Sequence, residues 1–307
     1  MDSSISRVSS GVTTGSAILP WVTSITTPRD HTIIPRPAKF VFATNTPRFW
    51  QGEVFGSRMF DAMQLAFPDG ERMFIQSVRN YADKISDPVL KTQVKHFIYQ
   101  EGQHGKAHSD FNKHLKSQGL NVEGSVAMIK GALTWFQKIS SHKVQLAATV
   151  AAEHLTASLG EHMFSNDDKV LANAHPSMKA FYMWHGAEEV EHKAVAWDVY
   201  QQAAGGGYFT RTIALATLYP LALVPLTLGT MAMMYSDGEL NVTELKKGAR
   251  VMFGKDGLFR KTLPAILEFY KPGFHPWQTG YPDKFEQWKS AYQESNDADL
   301  AMQATLN

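Results

Sequence analysis

The chain has 307 residues, 44% of them hydrophobic, which is enough to bury a sizeable core and excludes a disordered protein. Thirty Lys and Arg stand against 29 Asp and Glu, and a net charge of +1 offers no field to draw in nucleic acid, so that partner class is set aside. There is no cysteine, which excludes disulfides, thiolate catalysis and thiolate metal sites and leaves any metal to His and carboxylate ligands.

Residues 1–35, rich in Ser and Thr, read as a flexible N-terminal arm. The apolar piece "AILPWV" within them is too short and broken for a signal-peptide core, so a cytoplasmic location is expected. "KFVFAT" at 39–44 alternates weakly and is the best strand candidate. From about residue 53 the pattern turns helical. Pro68 and Asp69 mark a helix start before "GERMFIQSVRNYADKI". Asp87-Pro88 starts another, which runs to about Gly119, where a C-terminal glycine would end it. A shorter helical piece covers about 123–138. Ser140 or Ser141 then caps a third long helix, "HKVQLAATVAAEHLTASLGEHMF". Pro176 opens a fourth, "SMKAFYMWHGAEEVEHKAVAWDVYQQ", which the glycines at 205–207 stop.

Four long helices in succession imply an all-α bundle. Residues 213–234, "IALATLYPLALVPLTLGTMAMM", carry no charge over 22 positions, long enough to span a bilayer, yet include Pro220 and Pro225. Two readings stay open there: a helix packed across the bundle, or a lipid-facing or membrane-inserted one. The tail reads as short helices ending in a Pro/Gly turn around His275, taken as structural, and a polar helical end beyond 280. The expected division is the arm 1–35, a helical bundle domain 36–280 and a tail 281–307.

One short pattern occurs twice, as "QEGQH" at 100–104 and "EEVEH" at 188–192. Residues three and four apart share a helix face, so Glu101 and His104 can reach one ion, and so can Glu189 and His192. A bundle that opposes two such helices, with one further Glu from each remaining helix, holds two metal ions in its core. Glu71 shares a stripe with Phe74 and Val78, and Glu153 lies inside the apolar "VAAEHL". Both are placed where an unpaired carboxylate would be very costly. His185, four residues before Glu189, is the candidate third imidazole ligand, and His108 competes for that role. His154 and Glu161 are outlying candidates. Glu188 and Gln100 can accept the second N–H of a ligand imidazole, with Asp198 and Asp110 as alternatives.

The set Glu71, Glu101/His104, Glu153 and Glu189/His192 resembles the ferritin-like di-iron carboxylate proteins. With His185 it resembles the di-iron arylamine N-oxygenases, whose fourth helix also carries a His four before the Glu and another three after. A second resemblance covers about residues 36–280. "FPDGERMF", "DPVLKTQVKHFIYQEGQHGKAHSDFN", "WHGAEEVEHKAVAWDVY" and "PGFHPW" are similar to the bacterial predicted metal-dependent hydrolases.

These resemblances imply a ferritin-like four-helix bundle with additional C-terminal helices, holding two iron ions, with manganese or zinc as alternatives. The implied ligands are Glu71, Glu101, His104, Glu153, His185, Glu189 and His192, with Glu101 and Glu189 bridging the ions at the reaction centre. The expected function is a non-haem di-iron oxygenase that uses O2 to N-oxygenate or hydroxylate an apolar or aromatic small molecule. It would draw on an external electron donor, since no flavin or nicotinamide motif is present. The alternative is a metal-dependent hydrolase using a bridging hydroxide. Phe74, Phe97, Tyr99, Phe181, Tyr182 and Trp184 suit an apolar substrate, although most read equally as bundle core. Peripheral membrane contact through 213–234 and a homodimer complete the expected partners.

Overall fold

The computed structural model describes residues 26–42, 46–165 and 170–306. The first 25 residues of the expected arm lie outside the described residues. Among the described residues the chain is all-α, with no strand. In chain order the helices are α1 (Val54–Gln64), α2 (Phe67–Arg79), α3 (Pro88–Ser117), α4 (Val122–Ile139), α5 (His142–Met163), α6 (Pro176–His192), α7 (Val195–Gln202), α8 (Tyr208–Ser236), α9 (Val242–Phe253), α10 (Leu258–Glu268), α11 (Asp283–Ser295) and α12 (Ala298–Ala304).

Local chemistry sets the boundaries of the long helices. The Asp87 side chain accepts from the Val89 amide at 2.9 Å, and Pro88 occupies the first position of α3. Two residues past α3, Gly119 takes a φ of +91°, a conformation open to glycine, and the chain turns away. Ser141 caps α5, and Pro176 opens α6. The expected fourth helix is in fact two. It breaks at Lys193 and Ala194 between α6 and α7. No Pro or Gly marks the break, so periodicity reads through it. There the Lys193 ammonium is drawn to Glu161 and the Gly280 carbonyl, both at 2.7 Å, beneath the Trp277 ring.

The strand candidate at 39–44 needs correction. Residues 39–42 are irregular, and 43 and 44 lie outside the described residues. Phe40 and Phe42 instead insert their rings against Phe181 of α6, at 5.1 and 5.2 Å between centroids, and Phe42 also meets Phe111 of α3 at 4.8 Å. An alternating apolar pair needs a partner strand to become a strand, and the surroundings here are helices.

Helix α2 packs along α3, α5 along α6, and α2 also meets α5, while α3 meets α6 and α7. The core falls into two apolar clusters. One gathers α1, the C-terminal half of α3, most of α6 and the end helices α11 and α12; the other gathers α2, the N-terminal half of α3, α5 and α7. Where α5 crosses α6, a Cβ built on Gly160 would fall 2.6 Å from the Gly186 carbonyl oxygen. Two glycines therefore let these backbones approach closely, one turn from the expected ligands.

Candidate metal centre

All seven expected ligands lie inside the molecule, each at most 5% exposed. Glu71 comes from α2, Glu101 and His104 from α3, Glu153 from α5, and His185, Glu189 and His192 from α6. Two groups of donors form. Glu101, His104, Glu189 and His192 offer one atom each within 4.8 Å of one another, and Glu71, His108 and His185 do the same. The groups touch, since His185 Nε2 lies 2.8 Å from Glu189 Oε1, and within the second group His108 Nε2 lies 2.6 Å from His185 Nδ1. Both competing imidazoles are therefore present, on the Glu71 side.

The pattern of hydrogen bonds fits a metal. Both oxygens of Glu71, both of Glu101, Oε1 of Glu153, Nδ1 of His104 and Nε2 of His192 are buried without a hydrogen-bond partner. His192 Nε2 sits 3.1 Å from Glu101 Oε1, but out of line for a hydrogen bond. Buried polar atoms normally find partners, and seven unpartnered atoms in one place form a cavity of ligands. A donor set of carboxylate and imidazole suits iron, manganese or zinc. Two metal ions can be held by these two groups.

The charges point the same way. Burial, reinforced by Glu101, Glu189 and Glu153, pushes the Glu71 carboxyl well above its ordinary value. Burial and the Glu153 charge push Glu101 up to about 8. Burial raises Glu153 to about 7, against the pull of His192. Burial presses His104 and His108 well below the ordinary imidazole value, helped by His185. Burial also presses on His192, but Glu153 and Glu189 overcome it and hold that imidazole well above its ordinary value. Glu189 falls below its ordinary value because His192, His185 and Thr156 outweigh burial. Protons thus occupy places that cations would take in a site of this composition.

A surrounding layer fixes the orientation of the histidines. His104 donates from Nε2 to Glu188 Oε2 at 2.9 Å, which turns Nδ1 to the centre. Glu188 in turn lies 3.4 Å from Arg36, whose guanidinium grips Glu191 through two bonds of 2.6 and 2.8 Å. Arg36 is 1% exposed and lies over the Trp288 and Tyr292 rings of α11. His192 donates from Nδ1 to Glu153 Oε2 at 2.9 Å. His108 donates from Nδ1 to Gln64 Oε1 at 3.2 Å, and the Gln64 amide is anchored on Asn112. The Thr156 hydroxyl donates to Glu189. Such partners select the tautomer and aim of a ligand imidazole.

Glu188 takes the acceptor role expected of it. Gln100 does not: its amide donates to Glu191 and to the Ile34 carbonyl. Asp198 receives Thr27 and His275, Asp110 pairs with Lys113, His154 bonds to the Ala265 carbonyl and Glu161 binds Lys193, so none of these four joins the centre. Arg36, Glu191, Gln64, Asn112 and Thr156 carry no local signal that marks them. Aromatic rings wall the donors. Phe97 meets His192 at 4.9 Å, Trp184 meets His104 at 5.1 Å, and Phe67 and Phe181 meet His108 at 4.6 and 5.0 Å. Of the other expected aromatics, Phe74 and Tyr182 are core and Tyr99 is exposed.

The fold and the donors define an all-α protein with a buried carboxylate–histidine centre for two metal ions, and with it a metal-dependent active site. The chain belongs to the family described as predicted metal-dependent hydrolase, which it matches over residues 34–280. No curated protein matches it, and no solved structure does.

Proposed function

We propose that the chain is a dinuclear metal enzyme that oxidises a small apolar molecule with O2, on a ferritin-like arrangement of α2, α3, α5 and α6. The observation behind this reading is the enclosure of the centre. Its donors are at most 5% exposed, and four aromatic rings stand against its histidines. Hydrolysis needs water and a polar substrate at the metal. O2 is small and apolar and can cross such a wall, and the wall keeps water from competing.

Two irons, when bound, would supply the electrons that reduce O2, with an external donor restoring them. Glu189, touched by His185 at 2.8 Å, lies where the two groups meet and would be shared between the ions, and Glu101, with both oxygens unpartnered, would be the second shared carboxylate. Glu71 and Glu153 cap the two sides with oxygens free to ligate. Glu188 holds the His104 proton away from the centre at Nε2.

Hydrolysis is the second reading. The family description names it, and no comparison names an oxidation, so the comparisons back it better. The same ligand set would serve it.

Metal content and O2 uptake decide between them. The protein is produced with iron and with zinc supplied in turn, and metal per chain is measured. O2 consumption by the reduced iron form and cleavage of ester and phosphoester probes by either form are then followed. About two irons per chain, with O2 uptake that disappears in Glu101→Ala and His104→Ala, is the expected result. Tightly held zinc, probe cleavage lost in the same variants and no O2 uptake would overturn oxidation in favour of hydrolysis.

A further inference from the structure

Helix α8 is uncharged from Ile213 to Met234, yet its middle lies on the outside of the molecule. Ile213, Leu221, Val224 and Leu228 are 60–69% exposed and line one helical face. Only 11% of its most apolar 18-residue window is buried, whereas a core helix of such composition would be covered. Both ends are pinned to the rest of the protein. At the start Arg211 donates to the Phe269 and Lys271 carbonyls, and Leu215 is buried. At the end Thr230, Met233 and Met234 are buried, and Gly229 faces Ala62 of α1. Leu218, Tyr219 and Leu226 pack on the core between these ends, so the helix lies flat along the bundle.

The neighbouring helices supply charge. Phe259 at the start of α10 meets Tyr219 in the middle of α8, at 6.2 Å, and stacks on Phe253 of α9 at 5.8 Å. Between residues 246 and 261 stand six basic residues and one acid, Asp256, in a chain whose net charge is +1. Lys246, Arg250, Lys255 and Arg260 are exposed, as are the apolar Phe253, Leu263 and Leu267. Exposed apolar, aromatic and basic residues together are the composition of a surface that lies in the headgroup layer of an anionic membrane.

We propose that α8, α9 and α10 form a face that docks in the plane of an anionic bilayer, with the exposed side of α8 in the lipid and the basic residues on the headgroups. A second copy of the chain suits this face less well. A two-fold contact presents the same patch from both sides and brings like charges to one interface. The proposal is independent of the reaction at the metal centre.

Co-sedimentation of the full chain with vesicles tests it, using phosphatidylcholine alone and phosphatidylcholine mixed with phosphatidylglycerol. Binding should favour the anionic vesicles and fall as salt is added. Leu221→Glu with Val224→Glu, and separately Arg250→Glu with Lys255→Glu, should each reduce it roughly tenfold or more. Lys138→Glu, the same kind of charge change on α4, should leave it unaltered. Circular dichroism and the thermal midpoint check that each variant is folded. Equal binding to both vesicle types, no binding at low salt, or binding that either folded double variant retains in full would overturn the proposal. So would a dimer in solution that Leu221→Glu with Val224→Glu dissociates while vesicles are ignored.

Discussion

Glu101→Gln replaces an ionisable group of the centre by a neutral one of the same shape, and it should move the metal-free and metal-loaded proteins in opposite directions. Glu101 is 1% exposed, and burial with the Glu153 charge holds it at about 8 against an ordinary 4.5. The folded state therefore binds this proton more tightly than the unfolded chain does, and stability falls as pH rises between the two values, by about 1.4 kcal/mol per unit. At pH 7.5, about three units above the ordinary value, that amounts to roughly 4 kcal/mol as an upper bound. The amide avoids this cost but leaves His192 with Glu153 and Glu189 alone, so we expect a net gain of about 1–3 kcal/mol. At pH 5 the gain should shrink below about 1 kcal/mol. Urea unfolding of chelator-treated protein at the two pH values measures it. With metal present the order reverses. The parent gains about 4 kcal/mol at a thousandfold excess of metal over Kd, and the variant gains far less. A variant less stable than the parent at both pH values without metal, or stabilised equally at both, would refute the reasoning.

Four further outcomes are expected. Arg36→Met removes the buried cation that faces two carboxylates, Glu191 and Glu188, and should cost roughly 3–5 kcal/mol in urea unfolding; by loosening Glu188 from His104 it should also weaken metal binding about ten- to a hundredfold in a titration. Metal uptake should release protons and tighten from pH 6 to 8, because Glu153 at about 7 and Glu101 at about 8 must lose protons to ligate; calorimetry in buffers of different ionisation enthalpy reads the proton count. Gly160→Val would press a side chain into the Gly186 carbonyl, 2.6 Å from its Cβ, and should cost about 1–3 kcal/mol in thermal or urea unfolding and lower the metal per chain. Gly131→Ala on the exposed side of α4, where nothing lies within 4 Å, should be neutral or slightly stabilising.

The local features were legible because they depend on near neighbours in the chain. Asp87-Pro88, Ser141 and Pro176 act on amides within a turn of themselves. The spacing of Glu101 to His104 and of Glu189 to His192 puts each pair on one face whatever surrounds the helix. Glu71 and Glu153 could be placed in the interior because apolar residues flank them at helical spacing. Where the same local logic had no partner to consult it failed. "KFVFAT" alternates as a strand does, but the rings of α3 and α6 claimed its phenylalanines. The long helix from Pro176 has no breaker at 193, yet Glu161 and Gly280 draw Lys193 out of line.

The sequence by itself determined an all-α chain with carboxylates and imidazoles at metal-binding spacing on successive helices, since helical periodicity and caps are short-range properties. Tertiary structure alone decided which donors meet. It brought both His108 and His185 to the Glu71 side, and it recruited Arg36 across 152 positions to steady Glu188. It also left α8 on the surface, although its composition suits a core as well as a membrane. Contacts between residues far apart in the chain carry no fixed spacing, so only the packed molecule reveals them.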